Sequence, residues 1–159
     1  MNGIVMNGIV RWGRRTAALV LVAAVASVAA LSASATVSGG AKVKTRTTSL
    51  GRIVVNAGGR SLYLFEKDKH GKSACYAQCA KYWPPLLTRG KPVAGAGVKA
   101  KLLGVTKRKN GTHQVTYAGH PLYRYTLDTK AGQTTGEGST QFGAGWDVVA
   151  PSGKKIESD

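Results

Sequence analysis

Residues 59–68 read Gly59-Arg60-Ser61-Leu62-Tyr63-Leu64-Phe65-Glu66-Lys67-Asp68, and residues 119–128 read Gly119-His120-Pro121-Leu122-Tyr123-Arg124-Tyr125-Thr126-Leu127-Asp128. Both fit G-x-x-L-Y-x-[FY]-x-x-D, sixty residues apart, and a tryptophan follows each: Trp83 twenty residues after Tyr63, Trp146 twenty-three after Tyr123. In a strand, alternate side chains share a face. Tyr63 and Phe65 therefore point one way, as do Tyr123 and Tyr125, while Leu62, Leu64 and Leu122 point the other. The leucine faces are expected to join in a common core. The aromatic faces, with Trp83 and Trp146, are either a second buried layer, the usual fate of strand aromatics, or a platform on which a ligand stacks. Asp68 and Asp128 close the two copies. They either accept backbone N–H bonds in the turn after the strand or touch an ion or ligand. A hydrolytic carboxylate pair has nothing else in the chain behind it, so no catalytic residue is assigned.

Working outward, Arg52 to Asn56 is β-branched, Ala57-Gly58-Gly59-Arg60 is turn chemistry, and Ser61 to Glu66 resumes as a strand, which together predict a hairpin. Ser73 to Tyr82 predicts a short helix with Ser73 as N-cap, ended by Pro84-Pro85. Leu102 to Lys107 and Gln114 to Ala118 flank Asn110-Gly111, a hairpin signal. Leu122 to Leu127 and Trp146 to Ala150 are further strands. Thr36 to Ser49 is polar and basic without an apolar period, and reads as a flexible leader. Thr88 to Lys101, rich in Gly, Pro and Lys, reads as a connector. The expected fold is mainly β: an antiparallel sheet domain over 50–159, with two pseudo-symmetric repeats (about 50–93 and 102–156) and a short helix near the cysteine pair.

The first 35 residues predict a signal peptide. Arg11, Arg14 and Arg15 form a basic start, Ala17 to Leu31 an apolar run, and Ala33-Ser34-Ala35 a cleavage site after Ala35. The apolar run, about 22 Å as a helix, is short against a hydrocarbon core of about 30 Å. The opening repeats itself, so Met6 is an alternative start, and Arg14-Arg15 leaves the twin-arginine route open. Beyond Ala35 lie 20 of the 23 Lys/Arg and all 7 Asp/Glu, a net charge of +13. Such a charge points to anionic partners, a cell-wall polymer or a membrane surface. Lys107-Arg108-Lys109 is its densest run and reads first as a solvated hairpin tip. No nucleic-acid module accompanies the charge, and export argues against one.

Cys75 and Cys79 are the only cysteines. An exported pair is expected to form a disulfide, and positions i and i+4 of a helix bring the two within reach of one. The alternative is a metal or redox site of His70, Cys75 and Cys79. There is no nucleophile elbow, phosphate-cradling loop, haem spacing or four-ligand zinc pattern, so no cofactor is expected.

The two motif copies resemble a bacterial family of secreted and lipoprotein repeats of unknown function, marked by Tyr-x-[Phe/Trp/Tyr]-x-x-Asp. So do the cysteine pair leading into Trp83-Pro84-Pro85, the run Gln114-Val115-Thr116-Tyr117 before Gly119, and the closing Gly145-Trp146 with Pro151-Ser152-Gly153. The resemblance spans roughly Leu50 to Ile156. It implies a place outside the cytoplasm and no established activity. Many relatives are lipid-anchored; no cysteine stands near the cut here, so soluble export is expected. Export, the positive charge, the lack of a catalytic constellation and the paired aromatic strands together point to non-enzymatic binding of an anionic envelope component or a small ligand, with extracytoplasmic redox or metal handling by Cys75 and Cys79 as the alternative.

Overall fold

The computed structural model describes residues 39–156, so the expected signal segment lies outside the described residues. The order is β1 (Lys42–Thr48), β2 (Gly51–Asn56), β3 (Tyr63–Phe65), α1 (Gln78–Tyr82), β4 (Val93–Ala94), β5 (Leu103–Lys107), β6 (His113–Tyr117), β7 (His120–Pro121) and β8 (Trp146–Val148). They form three small sheets, β2-β1-β4, β3-β8 and β5-β6-β7. Every pair is antiparallel except β1 with β4. The fold is mainly β, as expected.

The leader expected over 36–49 is corrected by β1. Lys42 to Thr48 contains one apolar residue, Val43, so no hydrophobic period marks it. It is a strand because its partners supply the backbone bonds. It pairs with β2 through six positions, from Val43 with Asn56 to Thr48 with Gly51, and on its other edge the Val43 carbonyl accepts the Gly95 N–H while the Thr45 N–H donates to Ala96. Val43 is fully buried.

The repeat boundaries move with it, because β1 and β2 are the counterparts of β5 and β6. Val54 donates its N–H to the Val149 carbonyl (2.7 Å), Leu62 donates to Val54 (3.1 Å), and Val149 donates to Leu62 (3.2 Å). The same three bonds recur as Val115 to Leu86 (2.9 Å), Leu122 to Val115 (2.9 Å) and Leu86 to Leu122 (2.8 Å). The first repeat thus starts near Lys42 and not near Leu50.

These bonds also show that the repeats exchange their ends. Leu86 follows Trp83 in the first repeat but sits among residues of the second. Val149 follows Trp146 in the second repeat but sits among residues of the first. β8 pairs with β3, Tyr63 opposite Val148 and Phe65 opposite Trp146. In the mirror position Pro85 lies opposite Tyr123, and Arg124 and Thr126 donate to the carbonyls of Pro84 and Tyr82. At the centre, Tyr63 and Tyr123 exchange both backbone bonds, at 2.9 and 3.0 Å. A pseudo-two-fold axis passes between them.

Two other expectations change. The hairpin over 52–66 is reduced to its turn: Asn56 and Leu62 keep bonds to Arg60 and Val54, but β2 pairs mainly with β1, and β3 with β8. The helix shrinks to Gln78–Tyr82, preceded by Ala77 with φ of 48°. That left-handed residue cannot be part of a right-handed helix, so Ser73 is not its cap. Among the described residues, no helix is long and apolar enough to cross a membrane.

Candidate functional site

Alternation along the motif strands places the leucines and the aromatics in two separate cores. Leu62, Leu64 and Leu122 pack with Val43, Val54, Val115 and Val149. Tyr63, Phe65, Tyr123 and Tyr125 pack with Trp83 and Trp146. The aromatic core is a column of four stacked rings. Phe65 lies on Trp146 at 4.0 Å between centroids, Trp146 on Trp83 at 4.0 Å, and Trp83 on Tyr125 at 4.2 Å. Tyr63 meets Trp83 edge-on at 5.2 Å, and Tyr123 meets Trp146 edge-on at 5.1 Å. Each contact has its symmetry mate. Such pairs contribute about 0.5–1.5 kcal/mol each beyond burial.

This overturns the stacking platform proposed for these six rings. Tyr63, Tyr123, Trp83 and Trp146 are wholly buried, and Phe65 and Tyr125 nearly so. A ligand would have to displace the core to stack on them.

The two aspartates also cross between repeats. The Tyr63 hydroxyl donates to Asp128 Oδ2 at 2.5 Å, and the Tyr123 hydroxyl donates to Asp68 Oδ2 at 2.7 Å. Each Oδ1 accepts a backbone N–H from the loop that follows, Ala74 for Asp68 and Thr135 for Asp128. The turn role expected of both carboxylates is therefore half of what they do; each also holds the tyrosine of the other repeat. Asp128 additionally accepts from the Thr135 hydroxyl and is 1 % exposed, which closes it to any substrate. Burial pushes both phenols well above their usual range, and the facing carboxylates reinforce this.

The Asp68 side is more elaborate. Asp68 is half-buried and opens onto a cleft it shares with Glu66, Lys69, His120 and Lys155. Burial raises its pKa to about 6, against the opposing pull of the Ala74 N–H, the Tyr123 hydroxyl and the Arg108 charge. The Tyr123 hydroxyl also lies 2.8 Å from Ser73 Oγ. Since its one proton is given to Asp68, Ser73 supplies the proton of that second bond. Ser73 Oγ in turn accepts from Arg108 Nη1 at 2.8 Å. A directed chain thus runs from Arg108 through Ser73 and Tyr123 to Asp68. Arg108 also donates to Gln114 Oε1 and to the Cys75 carbonyl, and its guanidinium lies 4.5 Å above the Tyr76 ring. It is 4 % exposed, which corrects the solvated hairpin tip at this residue; Lys107 and Lys109 beside it are exposed. Ser73, Arg108 and Gln114 carry no sequence signal of this network, because each belongs to a different element.

Cys75 and Cys79 are joined by a disulfide, with Cα atoms 5.2 Å apart, and both are buried against the aromatic core. In this state neither sulfur is free to bind metal with His70, an exposed residue. Among the described residues, no group of three or more His, Cys, Asp or Glu is placed to hold a metal ion.

The chain is thus a two-repeat β protein whose Tyr–Asp pairs cross from one repeat to the other. The chain belongs to a family described as a secreted repeat of unknown function, whose model matches residues 44–87 and 104–150, more than half of its length. The two matches begin in β1 and β5, the strands that the backbone bonds make equivalent. Neither the curated proteins nor the solved structures yield a match to the chain.

Proposed function

We propose that this chain is exported, loses its leader after Ala35, and works outside the cytoplasm as a non-catalytic cationic module that holds an anionic polymer of the cell envelope. The observation that carries this reading is the sorting of charge. Between residues 39 and 156 stand 20 Lys/Arg and 5 Asp/Glu. Every lysine except Lys44 is exposed. Of the acids, only Glu66 is exposed, and it is bound to Lys155 at 2.9 Å. Asp128 and Asp147 are buried. Asp68 and Glu137 are half-buried and accept backbone N–H bonds from Ala74 and Val148. The acidic side chains are turned to internal bonds, so the exposed charge is almost wholly positive. Membership of a secreted family supports the location.

The test is retention of the exported chain on purified wall polymer and on anionic vesicles. Raising salt from about 0.01 M to about 1 M shortens the screening length from roughly 30 Å to roughly 3 Å, and should release the protein. Retention that does not change over that range rejects the reading.

A further inference from the structure

We infer that the basin lined by Lys72, Ser73, Tyr76, Lys107, Arg108 and Lys109 is a phosphate-binding site, and that it seats the phosphate groups of a phosphate-bearing envelope polymer; this rests on the reading above and locates its ligand. The basin lies between the loop after Asp68 and the tip of the β5–β6 hairpin, and has a volume of about 360 Å³. Four of its six lining residues are cationic and none is acidic. That volume is within the range of small-ligand sites.

The first argument is the state of Arg108. A buried charge is tolerated when it is paired and its donors are satisfied. Among the described residues, Arg108 has no carboxylate within 4.0 Å; its partners are a hydroxyl, an amide oxygen, a carbonyl and the face of Tyr76. Its Nε–H is buried with no acceptor among the described residues. The carboxylate it reaches, Asp68, is two hydroxyls away. An anion resting in the basin supplies the missing counter-charge, with Lys72, Lys107 and Lys109 as its direct donors and Arg108 as the fixed charge beneath.

The second argument is an internal control. β1 pairs Thr45 with Val54 as β5 pairs Val105 with Val115, so Thr47 and Thr48 stand where Lys107 and Arg108 stand. The first repeat closes the same hairpin with threonines. The hairpin turn itself does not call for cations at these positions; Arg108 is held by the network described above, and the exposed Lys107 and Lys109 are left for recognition. Phosphate is favoured over carboxylate because its oxygens point in several directions and can take three ammonium donors at once, where a carboxylate offers two oxygens in one plane. A polymer is favoured over a flat membrane because the site is concave. None of the large exposed apolar side chains, among them Leu87, Val93 and Leu127, lines it.

The test compares the exported wild-type chain with K72Q/K107Q/K109Q and with K91Q/K99Q/K101Q, which removes the same charge elsewhere. The probes are inorganic phosphate, poly(glycerol phosphate), polyglutamate and phosphatidylglycerol vesicles. Inorganic phosphate should shift the Arg108 Nε–H and Lys109 amide resonances saturably in the wild type and the control, but not in the basin variant. Affinity for poly(glycerol phosphate) should fall about tenfold in the basin variant and less than about threefold in the control. Tighter binding to the vesicles than to the polymer, lost in the same variant, keeps the phosphate site and makes lipid its source. Equal losses in the two variants, or polyglutamate bound as tightly as poly(glycerol phosphate), overturn the basin while envelope binding by diffuse charge stands. Saturable phosphate shifts with no retention on any polymer or vesicle would instead sink the envelope reading and leave the basin.

Discussion

Tyr63 and Tyr123 hold equivalent positions, yet their hydroxyls sit in unequal surroundings, and the difference is measurable. Removing the Tyr63 hydroxyl leaves Asp128, 1 % exposed, with a lone pair that water cannot reach, and also orphans the Gly136 N–H that the phenol accepts. Tyr63→Phe should therefore cost about 2–3 kcal/mol in urea unfolding, in line with unsatisfied buried groups. Tyr123→Phe should cost about 1 kcal/mol, since half-buried Asp68 can recruit water. Equal costs, or the reverse order, would contradict this account of the pair. Asp68 adds a pH signature. Its pKa is about 6 in the fold and 3.8 unfolded. Between those values the folded chain holds a proton that the unfolded chain has lost, so stability falls as pH rises through the window and levels off above it. Asp68→Asn has no such group: wild-type stability measured against this variant should decline from pH 4 to pH 6. A flat difference would show that Asp68 titrates normally. The motif makes both tyrosines and both aspartates visible in the sequence. It does not tell that each tyrosine answers the aspartate sixty-five or fifty-five residues away, because a hydroxyl leaves no periodic trace of its partner.

At the scale of elements, strands with alternating apolar residues were readable: β2, β5, β6 and β8 fall within a residue or two of their expected positions. β1 was not, because Lys and Thr fill all but one of its places apart from Arg46 and its backbone is held by neighbours distant in sequence. The helix was overdrawn because Ala-rich composition says nothing of the left-handed Ala77. The exchange of the segments after Trp83 and Trp146 was equally hidden, since a strand's pattern does not name its partner. That exchange can be tested by cutting the connector after Val98. Each fragment then lacks the segment that completes its own sheet, Val149 for the first and Leu86 for the second. Neither fragment alone should show the near-ultraviolet circular dichroism of packed rings, and an equimolar mixture should regain it. A fragment that shows the ring signal by itself as a monomer would contradict the exchange.

For the whole molecule, composition foretold the basic surface, and the structure explains how the fold tolerates it. Like charges on a compact body repel one another. Here a seamless aromatic column and crossed strands hold the centre, and the few acids are used as internal acceptors. The candidate site was only half visible: Lys107-Arg108-Lys109 stood out as a run, but the loop bearing Ser73 and Tyr76 carried no mark of meeting it. The traded ends have a further meaning for how such a fold can close. A polypeptide bearing one copy could not close by itself and would have to find a twin, each lending the other its tail. The present protein carries both copies in one chain, joined by the stretch from Thr88 to Lys101. Two copies in one chain need not be alike: one hairpin tip carries cations and the other threonines, an asymmetry that two separate identical chains could never express.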